Sequence, residues 1–215
     1  RAGAIALVER GIQIDEDKIV ANIKSTKSKY AAHDFRNKLE NYKDKDEYKK
    51  DIENNNNFQI KNLSFENLDS LHKPINLKLE DVTITDVTKS GNMIYFNPII
   101  YKRLEENPFK LEDRKYPVDY PYPRHVIYRY QITIPDGYKV ESLPEKKMIK
   151  TPGNKAQFAY TKKRMGNKII ITNIMAINKT RFVSTEYAGL KNFYDQILKK
   201  HSEQIVLKKA DTANL

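Results

Sequence analysis

Hydrophobic and polar residues alternate along much of this chain, and alternation with a period of two predicts strands that bury one face. The clearest run extends from Val126 to Ile134, where every second residue is apolar or aromatic. Shorter runs over residues 58–68 and 75–84 have the same period. The chain is therefore expected to be rich in half-buried β-strands.

Two further features add detail to these strands. Residues 4–14 and 18–25 are apolar and β-branched on either side of a polar turn at 15–17, which predicts a hairpin with a polar tip. The third alternating run changes phase near Glu80 and Asp81. A slip of this kind predicts a β-bulge at that point.

Helical periodicity appears in two segments, at about 34–52 and about 185–201, and Asp34 is the expected N-cap of the first. The apolar stripes consist of Phe35, Leu39 and Tyr42 in the first segment and of Tyr187, Leu190, Phe193, Tyr194, Ile197 and Leu198 in the second. The four asparagines at 54–57 have poor helix propensity and tolerate left-handed turns, so we expect a loop there.

These elements predict a mainly β fold of the α+β class, with antiparallel, β-sandwich-like sheets and two amphipathic helices. A segment rich in proline and aromatic residues, 105–125, is called the strap. It separates a β-rich subdomain with one helix (1–104) from a β-sandwich-like subdomain with the C-terminal helix and a closing strand (126–210). The subdomains form either two sandwiches or one larger sandwich. Residues 211–215 are expected to be a disordered tail.

The strap is the most informative part of the sequence. Between Asn107 and Pro123 it contains four prolines and four aromatic residues. Each proline fixes its own φ and biases the preceding residue toward extended conformations, so a segment with this many X-Pro steps is stiff. We therefore expect a junction of fixed shape rather than a flexible linker.

Composition excludes some functions. The 215 residues carry a formal net charge of +11 and include no cysteine, which excludes disulfides, thiolate metal sites and a cysteine nucleophile. The lysines form scattered doublets, as on a solvated surface, and this distribution argues against nucleic-acid binding. Binding of an anion or a nucleic acid through the positive charge stays open as the least favoured of three hypotheses, the other two being given below. No apolar run approaches the roughly 18 residues of a membrane-spanning helix. Arg1 in place of Met indicates a piece of a longer chain or a processed one.

Few residues are arranged for catalysis or for cofactor binding. The histidines, His33, His72, His125 and His201, are too far apart in sequence for a local metal motif, and no Gly-rich phosphate loop is present. The sequence therefore predicts no catalytic residue, no cofactor-binding residue and no metal ligand.

The strap contains the remaining candidates. Arg114 lies among carboxylates that include Asp119, and charge-assisted bonds between them would lock the strap against a sheet or bind a substrate. Tyr116, Tyr120 and Tyr122 either stack on a partner's sugar rings or prolines, or fill the boundary between the subdomains. The structural interpretation is favoured for both groups.

Short motifs follow one another in a defined order from about Asn97 to Lys209. They are Asn97-Pro98, Asn107-Pro108-Phe109, Arg114-Lys115-Tyr116-Pro117-Val118-Asp119, Pro135-Asp136-Gly137-Tyr138 with Val140, Leu143-Pro144, Tyr187 and Ile205-Val206-Leu207-Lys208-Lys209. Their order, more than any one of them, resembles the C-terminal region of transglutaminase-like proteins of the Bacteroidetes type. The resemblance covers most of the chain.

This resemblance implies a context for the chain. In that family a β-rich N-terminal domain precedes a papain-like transglutaminase core with a Cys, His and Asp triad, and the region resembled here follows the core. Such proteins are described as secreted or periplasmic peptidases, which implies the same location here. Because the chain has no cysteine, no nucleophile is carried over. What is implied is a non-catalytic accessory and structural interaction module, with the adjacent catalytic domain as its partner.

A second hypothesis belongs to a different class of function. The chain would bind glycans or cell-envelope peptides, with Tyr116, Tyr120 and Tyr122 as a stacking surface. Three exposed rings in one row would favour this hypothesis, and rings buried against a sheet would weaken it.

Overall fold

The computed structural model of the chain describes residues 3–15, 18–85 and 87–210. Strands predominate and three α-helices accompany them in this part of the chain, which confirms the mainly β, α+β class. The tip of the predicted hairpin, at residues 16–17, and the predicted tail at 211–215 lie outside the described residues.

The strands are β1 (Ala4–Asp15), β2 (Lys18–Lys29), β3 (Gln59–Glu66), β4 (Ile75–Ile84), β5 (Val87–Ser90), β6 (Met93–Phe96), β7 (Val118–Asp119), β8 (Arg124–Thr133), β9 (Tyr138–Ser142), β10 (Lys147–Lys150), β11 (Ala156–Met165), β12 (Lys168–Ile177), β13 (Arg181–Phe182) and β14 (Ile205–Lys209). The helices are α1 (Tyr30–Leu39), α2 (Lys45–Asn56) and α3 (Tyr187–His201).

Eight strands form one sheet in the order β10-β11-β12-β8-β1-β2-β4-β3. Its neighbours are antiparallel except for β1 and β8, which are parallel. The sheet therefore continues without interruption through the parts of the chain that precede and follow the strap. A second sheet has the order β5-β6-β14-β9, and β7 of the strap pairs with β13, which precedes α3.

The alternating pattern sets the two faces of the large sheet. On the inner face Arg10 of β1 lies opposite Ile23 of β2 and Tyr130 of β8, and all three are buried. Helix α1 contacts β1 and β2, α2 contacts β3, and α3 contacts β10 and β11. The second sheet adds Phe96 and Leu207 to the same hydrophobic core. One layer of helices and a small sheet thus covers the inner face.

The predicted bulge in β4 is confirmed. The register between β2 and β4 shifts so that Asn22 alone faces Glu80 and Asp81. Asp81 has a φ of 50°, and its N–H donates to the Asn22 side-chain oxygen at 3.1 Å. Asparagine and aspartate tolerate this left-handed conformation better than most residues, so the local sequence suits the bulge.

The single helix predicted over 34–52 is wrong, because two helices occupy this region. Helix α1 begins at Tyr30, so Asp34 lies inside it and is not its N-cap. Helix α2 begins after Asp44, whose carboxylate accepts hydrogen bonds from the N–H groups of Asp46 and Glu47 at 3.0 and 2.9 Å. A capped N-terminus inside the predicted segment divides the helix.

The loop predicted for the four asparagines is also wrong for most of them. Helix α2 continues to Asn56, and the side-chain amides of Asn55 and Asn56 donate to the carbonyls of Asp51 and Ile52 at 2.8 and 2.7 Å. Only Asn57 takes the expected left-handed conformation, with a φ of 51° as the C-cap.

The second predicted helix, 185–201, is confirmed as α3 at Tyr187–His201, after a short 3₁₀ turn at Ser184–Glu186. Of the predicted stripe, Tyr187, Leu190, Phe193, Tyr194 and Ile197 are buried and Leu198 is half-buried. The helical spacing of these residues therefore identified the face that packs on the core.

Replacing Phe193 by Ala tests this packing. The ring is 1% exposed, so its removal leaves a cavity and is expected to lower the free energy of unfolding by about 3–5 kcal/mol. Urea unfolding measures the loss. Tyr116→Ala, at a side chain 78% exposed, is the control and should change stability by less than about 0.5 kcal/mol. Equal effects of the two substitutions would contradict the assigned core.

Candidate functional site

The first half of the strap is fixed to α3. The ring of Phe109 makes edge contacts with Tyr187 and Tyr194, at centroid distances of 5.7 and 5.2 Å. The side-chain amide of Asn107 donates to Asp195 Oδ1 at 2.7 Å, and its oxygen accepts from the Phe109 N–H at 2.9 Å. These contacts hold Asn107 and Phe109 against α3, and the stiffness expected from the prolines of the strap stays a prediction.

The two charged candidates of the strap do not form an ion pair with each other. Arg114 donates from Nε to the carbonyl oxygen of Tyr116 at 3.1 Å. Asp119 lies 3.7 Å from Nε of Arg181 on β13, and both side chains are largely exposed, so this pair contributes little stability. A locking or binding role for Arg114 and Asp119 stays a prediction.

The three candidate tyrosines have different surroundings. Tyr116 is exposed, whereas Tyr120 and Tyr122 are half-buried. Tyr120 makes an edge contact with Phe182 at 5.9 Å, and Tyr122 stacks on Tyr30 of α1 at 4.8 Å with nearly parallel planes. The rings therefore do not form one exposed row, and a binding role for them stays a prediction.

A buried polar cluster at the end of α3 was not indicated by the sequence. His201 Nδ1 accepts a hydrogen bond from the Leu104 N–H at 3.1 Å, and Nε2 lies 2.9 Å from the side-chain amide of Asn173 on β12. The His201 carbonyl accepts from the Asn97 side chain at 2.7 Å. The cluster joins α3, the large sheet and the segment that leads into the strap.

The bonds of His201 define its protonation state. Because Nδ1 accepts, the neutral ring keeps its proton on Nε2. The Asn173 amide must then present its oxygen, which otherwise has no partner, to accept that proton. Burial, and after it the positive charges of Arg103 and Arg10, together lower the pKa of His201 to about 4. The ring is therefore neutral near pH 7, and it joins the end of α3 to the backbone at Leu104 and to the side chain of Asn173. No local motif could reveal this role, since its partners are 28 to 104 residues away in sequence.

The outer face of the large sheet carries an apolar row. The register aligns Leu7, Ile127, Ile174, Ala159 and Met148 across five adjacent strands, and we call these residues the apolar strip. Met148 is exposed and the others are half-buried. None of them belongs to the described core or to the side chains packed against it. An apolar row of this kind on an open face is typical of a contact surface for another protein.

Basic residues lie beside the apolar strip. Lys24 and Arg129 flank Glu9 in the next row on one side, and Lys150 lies on the other side. The three basic side chains are exposed. Further along the face a depression of about 610 Å³ surrounds Gly11, which has no side chain to fill it. The apolar strip therefore has a mainly positive border.

The structure and the sequence restrict the kinds of site that the described residues can form. Within residues 3–15, 18–85 and 87–210, no group of three or more His, Cys, Asp or Glu side chains is placed to hold a metal ion. None of the helices in these ranges has the length and apolar character needed to cross a bilayer. The chain also contains no cysteine, so its residues supply no Cys-His-Asp triad.

Comparison with known proteins adds a family. A family model described as a Domain of Unknown Function with a solved structure, DUF3858, matches residues 92–207, a little over half of the chain. No curated protein matches. A solved structure titled as that of a "putative protease" from Parabacteroides distasonis ATCC 8503 is similar, with a TM-score of 0.40 and 17% sequence identity, over 46% of this chain and 19% of that chain.

Replacing His201 by Gln tests the neutral, buried ring. The pKa of His201 is about 4 in the folded protein and about 6.5 when unfolded, so its contribution is fully present above pH 6.5 and is lost as the pH falls toward 4. Between pH 7 and pH 4, the wild type should therefore lose about 3 kcal/mol more unfolding free energy than the variant. Urea unfolding at pH 7, 5.5 and 4 measures this difference.

His125→Gln is the matched control, because His125 is exposed at the start of β8. Its pH profile should run parallel to that of the wild type. A profile for His201→Gln that also runs parallel would mean that His201 titrates normally in the folded protein.

Proposed function

The chain belongs to the DUF3858 family of domains of unknown function, and we propose that it is a non-catalytic interaction module in the C-terminal part of a larger transglutaminase-like protein. Its partner is the adjacent catalytic domain of the same parent protein, which is secreted or periplasmic. The order of motifs from Asn97 to Lys209 supports this context. The absence of cysteine from the chain agrees with a catalytic centre located elsewhere in the parent.

The observation that carries the proposal is the apolar strip. At about 4.8 Å between strands, its five residues extend over about 19 Å. A stable interface needs about 800 Å² from each partner, and the outer face of an eight-stranded sheet is large enough to supply it. Helices and the second sheet cover the inner face, so the outer face is the one available to a second domain.

The border of the apolar strip suggests the chemistry of the partner surface. Lys24, Arg129 and Lys150 outnumber Glu9 around it. A partner with an apolar centre and a rim of Asp and Glu would match both the strip and its border. The formal charge of +11 disfavours pairing of two copies of this chain through the same face.

The encoded sequence upstream of Arg1 tests the parent context directly. A transglutaminase-like core with Cys, His and Asp is expected there. A different domain, or a start codon immediately before Arg1, would contradict the proposed parent protein.

Replacing Ile127 by Lys tests the docking surface. The catalytic region, produced separately, should bind this chain, and a charge in the middle of the apolar strip should weaken binding at least tenfold because it has no partner in the interface. Isothermal titration calorimetry measures the affinity. Gln131→Lys, on the same strand and face but outside the strip, should change it less than twofold. Equal losses for both variants would exclude the strip as the contact.

The isolated chain should also show no amide hydrolysis or acyl transfer. Peptide and γ-glutamyl substrates would be incubated with the purified chain and the products measured by mass spectrometry. Robust turnover that one point mutation abolishes would overturn the non-catalytic assignment, whatever the outcome for docking.

A further inference from the structure

A cleft of about 830 Å³ lies between the two N-terminal helices and the segment 97–106. Lys38 of α1 and Tyr48 of α2 line one wall, and Tyr101 and Lys102 line the opposite wall. The cleft is separate from the apolar strip. Its lining includes Phe35, which belongs to the core on the inner side of the sheet, whereas the strip lies on the outer face. It combines aromatic walls with amine groups.

Two buried basic side chains lie directly behind these walls. Lys27 is 7% exposed, and its Nζ lies 4.2 Å from the ring centroid of Phe35. Arg10 is 2% exposed, and its guanidinium carbon lies 5.5 Å from the ring centroid of Tyr101. Nζ of Lys102 lies at the same distance from the Tyr101 ring. The positive charges therefore converge on the aromatic walls of the cleft.

The buried basic side chains have little compensation inside the protein. Within the described residues, Lys27 has the hydroxyl of Ser25 as its hydrogen-bond partner, at 2.8 Å. Arg10 donates from Nη2 to the Tyr101 carbonyl at 2.8 Å, while its Nε and Nη1 have no partner there. Burying a basic group without a carboxylate partner costs folding free energy. The presence of two such groups beside the cleft therefore needs an explanation.

The carboxylates that line the cleft already have partners. Asp51 accepts from the Tyr42 hydroxyl at 2.7 Å and lies 3.6 Å from Nζ of Lys38. Glu105 pairs with Arg103, and Glu106 pairs with Lys110 outside the cleft. The three carboxylates of the lining are matched in number by Lys38, Lys102 and Arg103. The excess of positive charge therefore comes from Lys27 and Arg10 behind the walls.

The electrostatic effect of this excess is visible at Lys27. Burial, and after it the neighbouring charges of Lys102 and Lys38, together lower the pKa of Lys27 to about 7. An anion in the cleft would oppose both neighbouring charges and favour the protonated amine. Binding of an anion and protonation of Lys27 are thus expected to be coupled.

We propose that this cleft binds an anionic group, a phosphate or a carboxylate, held between Lys38 and Lys102 with Lys27 and Arg10 behind the aromatic walls. Ammonium groups act as point charges toward such anions and do not demand one geometry. The rings of Tyr48 and Tyr101 pack against the less polar body of the ligand. This site is independent of the docking surface on the outer face.

Titration with two probes tests the site and distinguishes its ligand class. Inorganic phosphate and citrate are added separately to the purified chain at pH 7, and binding is followed by calorimetry and by the rise in Tm. Sodium chloride at matched ionic strength is the reference. Tighter binding of phosphate indicates a phosphate site, and tighter binding of citrate indicates a carboxylate site. A Tm rise with chloride equal to that with both probes would overturn the proposal.

Lysine variants locate the bound anion. Lys102→Met is expected to weaken binding of the preferred probe at least tenfold, and Lys38→Met should have an effect in the same direction. Lys50→Met is the matched control, because Lys50 is exposed on α2 and does not line the cleft. It should change the affinity less than twofold. Similar losses for Lys50→Met and Lys102→Met would show adventitious surface binding only and would overturn the site.

Proton uptake gives a readout that general charge effects do not share. At pH 8 the free protein holds Lys27 mostly neutral, so binding of the anion should take up a proton. Calorimetry in buffers of different ionisation enthalpy measures this uptake. Lys27→Met replaces a buried amine with an apolar side chain of similar length and should abolish it. Uptake that is equal in the wild type and in this variant would contradict the role of Lys27.

Discussion

The parallel pairing of β1 with β8 is the constraint on which the rest of this structure depends. Ala4 to Gln13 pair in register with Arg124 to Thr133, and the two strands lie at the centre of the eight-stranded sheet. A tight turn cannot join parallel strands, so the chain between them, including α1, α2 and the strap, must return to the start of β1. There Ala4 N–H donates to the Pro123 carbonyl at 2.9 Å. A Cβ on Gly3 would lie 2.8 Å from that oxygen, so glycine permits the close approach.

The central position of β1 explains the unusual chemistry of the inner face. Arg10 points away from solvent, and its guanidinium carbon lies 4.5 Å from the ring centroid of Tyr130 on the neighbouring strand. Aromatic faces and the Tyr101 carbonyl stabilise a charge that water cannot reach. The same arrangement ties the wall of the cleft to the middle of the sheet, because Tyr101 contacts both. Because the charge of Arg10 is only partly compensated in the folded protein, it is available to interact with a ligand.

Local features of the fold could be predicted from the sequence, and non-local ones could not. Alternation identified the strands and their buried faces, and a slip of phase located the bulge at Glu80 and Asp81. The break between α1 and α2 also had a local signal that helical periodicity concealed. Asp44 and Glu47 have the spacing of a capping box, and Glu47 accepts from the Lys43 N–H at 2.6 Å. By contrast, the partner of β1 and the partners of His201 are set by tertiary packing, which periodicity does not encode.

Both candidate binding surfaces arise where the two parts of the chain meet. The apolar strip takes Leu7 from β1 and its other four residues from β8, β10, β11 and β12, so it is continuous only when β1 pairs with β8. In the cleft, α1 and α2 face the segment 97–106. The hydrogen bonds of His201 hold this segment to α3 and to β12. A change in the central pairing would therefore alter both surfaces together. The strap opposes such a change, because its packing on α3 and its contact with the start of β1 hold the second strand of the pair beside the first.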